Sequence, residues 1–181
     1  LIKGTGETIF ALPIEGLDTQ RLAEFRALCA PSLPRLIVTA RRAFALGLNA
    51  AGPMALRISP ADDAKKILAL VANATSDRAP EAGPAGRAAA AAIQLVKLAQ
   101  SLPAVLAADV APDAISCEPS VITVDAAAVA RFADDAIQSL TIASEASVPL
   151  GSDTHTRFVV FHDEIGDSSV AIIVGEPDFT D

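Results

Sequence analysis

Between Arg87 and Ser101 the chain consists almost entirely of helix formers, then passes through Leu102-Pro103 into the apolar run Ala104-Val105-Leu106-Ala107-Ala108. Proline lacks a backbone donor and its ring clashes with the turn before it, so the helix has to stop there. The apolar run that follows reads as a buried strand, predicted over Leu102–Asp109. A long helix delivered directly into a fully apolar strand requires a sheet with helices packed against it. The expected fold class is therefore α/β (α+β).

The rest of the chain repeats the alternation. Thr8–Ile14 is rich in strand formers and Gly16 closes it. Asp18 is placed to cap a helix over Arg21–Leu28, with Leu22, Phe25 and Leu28 on one face, and Ala30-Pro31 and Pro34 end it. Arg35–Thr39 reads as a short buried strand, and Ala40–Leu46 as a helical turn or two stopped at Gly47. Met54–Ile58 is a further strand. Ser59-Pro60 is a helix start with Asp62 and Asp63 in its first turn, where the helix dipole favours negative charge, and the helix should reach Ala72. Asn73–Pro84 is predicted as loop from Ser76, Asp77, Pro80, Gly83 and Pro84. Val121–Val124 reads as a short strand, Asp125 as an N-cap and Ala126–Phe132 as a helix. After Pro149 the pattern becomes all-β: Thr156–Phe161 and Ser168–Val174 are strands joined by a turn through Asp163, Glu164, Ile165, Gly166 and Asp167. A boundary is expected near residues 145–150, giving an α/β domain over 1–147 and the start of a β element over 148–181.

Composition narrows the function classes. The chain has 181 residues, enough for one good-sized domain or a domain with an appendage, and no Trp or Tyr. A membrane span needs about 20 apolar residues; the best candidate, Ala88–Ala99, is broken by Gln94 and Lys97. The net charge of −8, with no basic cluster beyond Arg41–Arg42 or Lys65–Lys66, disfavours nucleic acid. Cys29 and Cys117 lie far apart with no metal-ligand spacing, so reduced thiols in a cytoplasmic protein are expected. The chain opens at Leu1 without an initiator methionine and stops soon after a strand, as expected of a piece of a longer polypeptide.

No side-chain constellation in the sequence calls for catalysis. His155 and His162 flank one strand and fall on opposite faces of it. Within each of the pairs Asp62–Asp63 and Asp134–Asp135, neighbours on a helix point about 100° apart, so neither pair chelates alone. Gly4-Thr5-Gly6 precedes a strand, where a phosphate loop would join a strand to a helix, and Asp163, Glu164 and Asp167 are ordinary turn residues. The carboxylates Glu7, Glu15, Asp18 and Asp109 have no histidine near them in sequence.

The order of these elements is similar to a known family. Leu95-Val96-Lys97-Leu98-Ala99 and Leu102-Pro103-Ala104-Val105-Leu106 resemble the helix end and following strand of 3,4-dihydroxy-2-butanone-4-phosphate synthases, and Val148–Asp178 resembles the entry strands of GTP cyclohydrolase II. The whole is most similar to fused riboflavin-biosynthesis proteins in which a degenerate synthase-like region precedes the cyclohydrolase. That resemblance implies a homodimer, a downstream cyclohydrolase domain in the same chain, and zinc only in that downstream domain. It implies no catalytic, cofactor-binding or metal residue here. Where the synthase has its Gly-His-Thr segment this chain reads Ala85-Gly86-Arg87-Ala88-Ala89-Ala90, and in the first loop, Lys3-Gly4-Thr5-Gly6-Glu7-Thr8, only Glu7 is able to serve. Two alternatives remain: an active synthase with relocated residues drawn from the four carboxylates, or a small-molecule sensor using the old pocket, with Arg41–Arg42 meeting a phosphate.

Overall fold

The computed structural model describes residues 1–72, 80–110, 121–149, 155–163 and 168–177. They form two compact units, Leu1–Ala130 and Arg131–Asp181. The first is a mixed α/β unit. Its strands are β1 (Ile2–Gly4), β2 (Glu7–Pro13), β3 (Arg35–Val38), β4 (Met54–Arg57), β5 (Ala82–Pro84), β6 (Ala104–Asp109) and β7 (Val124–Asp125). Its helices are α1 (Thr19–Cys29), α2 (Ala40–Ala45), α3 (Ala64–Ala72) and α4 (Arg87–Leu98), and α5 (Ala126–Gln138) starts in it.

The sheet runs β5-β4-β3-β6-β2-β1-β7. Neighbours are antiparallel except β1 with β7, which are parallel. Residues alternate between two faces, and each face carries its own core. One rung lays Leu12, Leu106, Leu36 and Leu56 side by side across four strands. On that face Leu36, Leu56 and Leu106 are fully buried, under Leu22, Phe25 and Cys29 of α1, Ala43 of α2 and Ile67 of α3. The opposite face presents Ile2, Ile9, Ile37, Ala55, Val105 and Ala107 to α4, which answers with Ala88, Ala89, Ala92, Ile93 and Val96. Alanines beneath α4 let the helix backbone approach the strands, and Ile93 and Val96 fill what remains.

Capping chemistry sets several helix starts where the sequence places them. Asp18 accepts from the Arg21 amide at 2.8 Å, Thr39 from Arg42 at 3.2 Å, and Asp125 from Ala127 and Ala128 at 2.8 and 3.0 Å. The third helix differs from expectation. It begins at Ala64, after Asp63 takes the Lys66 amide at 2.8 Å, while Ser59-Pro60 belongs to a preceding turn closed by the Ser59 amide on Asp62. The Ser59 hydroxyl accepts from the Ala61 amide at 3.2 Å, and this local turn competes with helix geometry and delays the start.

Other elements depart from the sequence reading for tertiary reasons. β1 folds back on β2 through the Gly4–Glu7 turn, where Gly6 has φ of +78°. β5, inside the predicted 73–84 loop, is strand because it pairs with β4. β7 is Val124–Asp125, shorter and later than Val121–Val124, and α5 continues past Phe132 to Gln138. Residues 73–79, including Ser76 and Asp77, and Cys117 lie outside the described residues.

The second unit holds an antiparallel sheet of order β10-β9-β8, from β8 (Thr141–Ser147), β9 (Thr156–His162) and β10 (Ser168–Val174). The two expected strands pair from Ser168 with His162 to Val174 with Thr156. The turn residues Glu164, Ile165, Gly166 and Asp167 lie outside the described residues. β8 has a weak strand composition, TIASEAS, and owes its conformation to β9. Because β8 joins that sheet, the division falls within α5, earlier than the 145–150 expected. No described helix is long and apolar enough to cross a membrane.

Candidate functional site

Polar side chains converge at the rim of the first sheet where β2, β3 and β6 meet the start of α4. Glu7 begins β2, Asp109 ends β6 and Arg35 begins β3. Ile9 pairs with Asp109 and Arg35 with Ala107, so the three side chains share one face. They line a depression of about 70 Å³ with Gly86 and Pro84 at its edge.

Glu7 has a defined task there. An α-helix leaves its first amides without partners inside the helix. At α4 the N-cap is Gly86, which has no side chain to offer. Glu7 Oε1 accepts from the Ala88 amide at 2.5 Å, across 81 residues of sequence. The three atoms nearest to a Cβ built on Gly86 are all of the Glu7 carboxyl group, and Oε2 would collide with it. Glycine at position 86 is therefore what admits the carboxylate to the helix terminus. The negative charge sits against the positive end of the helix dipole, which holds it in place.

The remaining chemistry of the depression is sparse. Arg35 and Asp109 are exposed, and neither forms an ion pair among the described residues. Asp109 could accept a proton and Arg35 could steady an anion, but Glu7 is committed to the helix. At about 70 Å³ the space is also less than half of the roughly 150 Å³ cavity that takes a benzene.

Of the four carboxylates singled out from sequence, the fold brings only Glu7 and Asp109 together. Asp18 caps α1, and Glu15 is exposed in the β2–α1 connection, where its backbone carbonyl accepts from Arg21 Nη1 at 3.1 Å. Arg41 and Arg42 are separated in role: Arg42 Nε donates to the Leu70 carbonyl of α3 at 2.7 Å, while Arg41 is exposed. Gly4-Thr5-Gly6 lies in the β1–β2 turn. Asp62 bonds Ser59 and Lys66, which hold its carboxyl below the usual carboxylate range. Asp134 and Asp135 are exposed on α5. His155 and His162 bracket β9, and His162 Nδ1 meets Ser168 Oγ at 2.9 Å. Burial pushes the Cys29 thiol up to about 12, the opposite of what a nucleophile needs.

Sequence reasoning missed that Glu7 caps α4, and no local signal could have revealed it, because donor and acceptor meet only when β2 packs beside the helix. Among the described residues no group of three or more His, Cys, Asp or Glu is placed to hold a metal ion. Comparison with family models, with characterised proteins and with solved structures gives no match to this chain.

Proposed function

We propose that this chain is the non-catalytic portion of a GTP cyclohydrolase II-type protein of riboflavin biosynthesis: a degenerate synthase-like α/β domain followed by the entry strands of the cyclohydrolase domain. In this reading its work is mechanical, supporting dimerisation and placing a downstream domain that holds zinc and hydrolyses GTP to a diaminopyrimidine and formate. The setting is cytoplasmic.

The observation that carries the reading is the use of Glu7. Enolisation of a sugar phosphate needs a free acid–base group, a cation and room for the substrate. Glu7, the one candidate in the first loop, serves as the α4 cap, and the space beside it is about 70 Å³. The entry into α4 supplies Gly86, Arg87 and Ala88 instead of histidine and threonine.

The test is turnover of ribulose 5-phosphate by the purified chain, with and without magnesium, beside a sedimentation measurement. No formate release and a dimer of 18.5 kDa subunits are expected. Sustained magnesium-dependent release of formate would overturn the reading in favour of an active synthase, and a monomer at all concentrations would remove the dimerisation role.

A further inference from the structure

A larger concavity lies on the first unit between α4, the β1–β2 turn and the first turn of α5, with a volume of about 440 Å³. That falls within the roughly 300–1,000 Å³ of small-molecule sites, whereas the depression beside Glu7 does not. It exists because the walls are alanine. Ala90 and Ala91 of α4 face Ala126 and Ala130 of α5, and side chains this short leave the valley between the helices unfilled. Val129, buried below, gives the floor an apolar base.

The rim has a different chemistry. Lys3 and Arg87 both border the groove, are exposed, and form no ion pair among the described residues. The one carboxylate at the groove, Asp125, is turned to the amides of Ala127 and Ala128. On a chain of net charge −8, this leaves a locally positive lip over an apolar floor. Gln94 is half-buried in the wall, and its amide has no hydrogen-bond partner among the described residues, so both a donor and an acceptor face the groove unused.

We propose that this groove binds a flat, mostly apolar organic anion: an aromatic or conjugated ring system against the alanine floor, with a carboxylate, sulfonate or phosphate on Lys3 and Arg87. A flat ring system suits facing helix walls whose Ala90, Ala91, Ala126 and Ala130 side chains are single methyl groups, and the negative group suits two cations without partners. This site uses different residues of α4 from the Glu7 cap and does not depend on the scaffold reading.

The experiment titrates the purified chain with 8-anilinonaphthalene-1-sulfonate and, in parallel, with the uncharged N-phenyl-1-naphthylamine, following fluorescence. Saturable one-to-one binding of both dyes is expected, the sulfonate tighter. Lys3→Gln with Arg87→Gln alters only exposed side chains and should weaken the sulfonate about tenfold while moving the neutral dye by less than about twofold. Ala91→Leu, which fills the floor with a good helix former, should abolish both. Either dye binding the Ala91→Leu chain as it binds the original would overturn the proposal and move the site elsewhere, for example to the exposed Val170, Ile172 and Val174 of β10. Equal weakening of the charged and neutral dyes by the double substitution would overturn the anion specificity.

Discussion

Glu7 and Gly86 form a pair whose energetic coupling can be worked out in advance. Removing a helix cap costs about 1 kcal/mol. Removing a carboxylate from a partly buried helix N-terminus costs about a further 0.5–1 kcal/mol. Glu7→Ala should therefore destabilise the protein by about 1.5–2 kcal/mol, and Glu7→Gln, which keeps an acceptor oxygen without the charge, by about half as much. Gly86→Ala attacks the same contact from the other side. Gly86 has φ of −66° and ψ of 171°, which alanine adopts without strain, but the new methyl collides with Glu7 Oε2. The carboxylate has to withdraw and the Ala88 amide loses its acceptor, so the substitution alone should cost about 1–2 kcal/mol.

In a chain that already carries Glu7→Ala nothing blocks that methyl. Gly86→Ala should then be close to neutral, because the restriction alanine places on the unfolded chain is offset by its poorer fit at an N-cap. The coupling in the double-mutant cycle should be at least about 1 kcal/mol. Urea unfolding of the four chains followed by far-UV circular dichroism reads it out, as shifts of the midpoint at constant slope. Additivity within about 0.5 kcal/mol would refute the cap, and with it the argument that Glu7 is unavailable for chemistry.

Leu106→Ala removes the centre of the leucine rung at a fully buried position, and should cost about 3–5 kcal/mol in the same urea experiment. Asp62 has a lowered carboxyl pKa in the fold, so its stabilisation is present above the unfolded value near 3.8 and is lost as pH falls through the folded value. Asp62→Asn should accordingly flatten the acid limb of the stability profile below about pH 5 and lower stability at neutral pH, as read from melting temperatures between pH 3 and 7. Cys29, buried with its thiol raised to about 12, should react with a disulfide reagent at pH 8 more than about 100-fold slower than a free thiol in a Cys117→Ser chain, and at the free rate in urea. Glu81→Ala breaks an ion pair with Arg57 in which both side chains are more than two-thirds exposed, and should change stability by less than about 0.5 kcal/mol.

The amino-acid sequence determined the elements whose signals are local. Leu102-Pro103 separates α4 from β6, although the helix itself stops earlier, at Leu98, in a turn where Gln100 has φ of +52°; Asp18 and Asp125 supply cap oxygens within three residues of the amides they meet; and the apolar strands of β2, β3, β4, β9 and β10 carry enough β-branched and large residues to be read directly. These depend on backbone geometry and contacts a few residues apart, which a linear pattern records. Ser59 shows the limit of such signals, since Asp62 offers the same backbone a competing turn and Asp63 takes the cap.

What only the tertiary structure decided are the features made by distant partners. β8 is a strand because β9 lies beside it, and β5 because β4 does, neither having the composition to extend alone. Glu7 and Asp109 share one depression while Glu15 and Asp18 do not, because antiparallel pairing of β2 with β6 brings Ile9 opposite Asp109. The role of Glu7 and the valley between α4 and α5 likewise required the packed fold. A carboxylate becomes a cap only when an orphan amide is brought to it, and alanines become a groove only when two helices hold them apart.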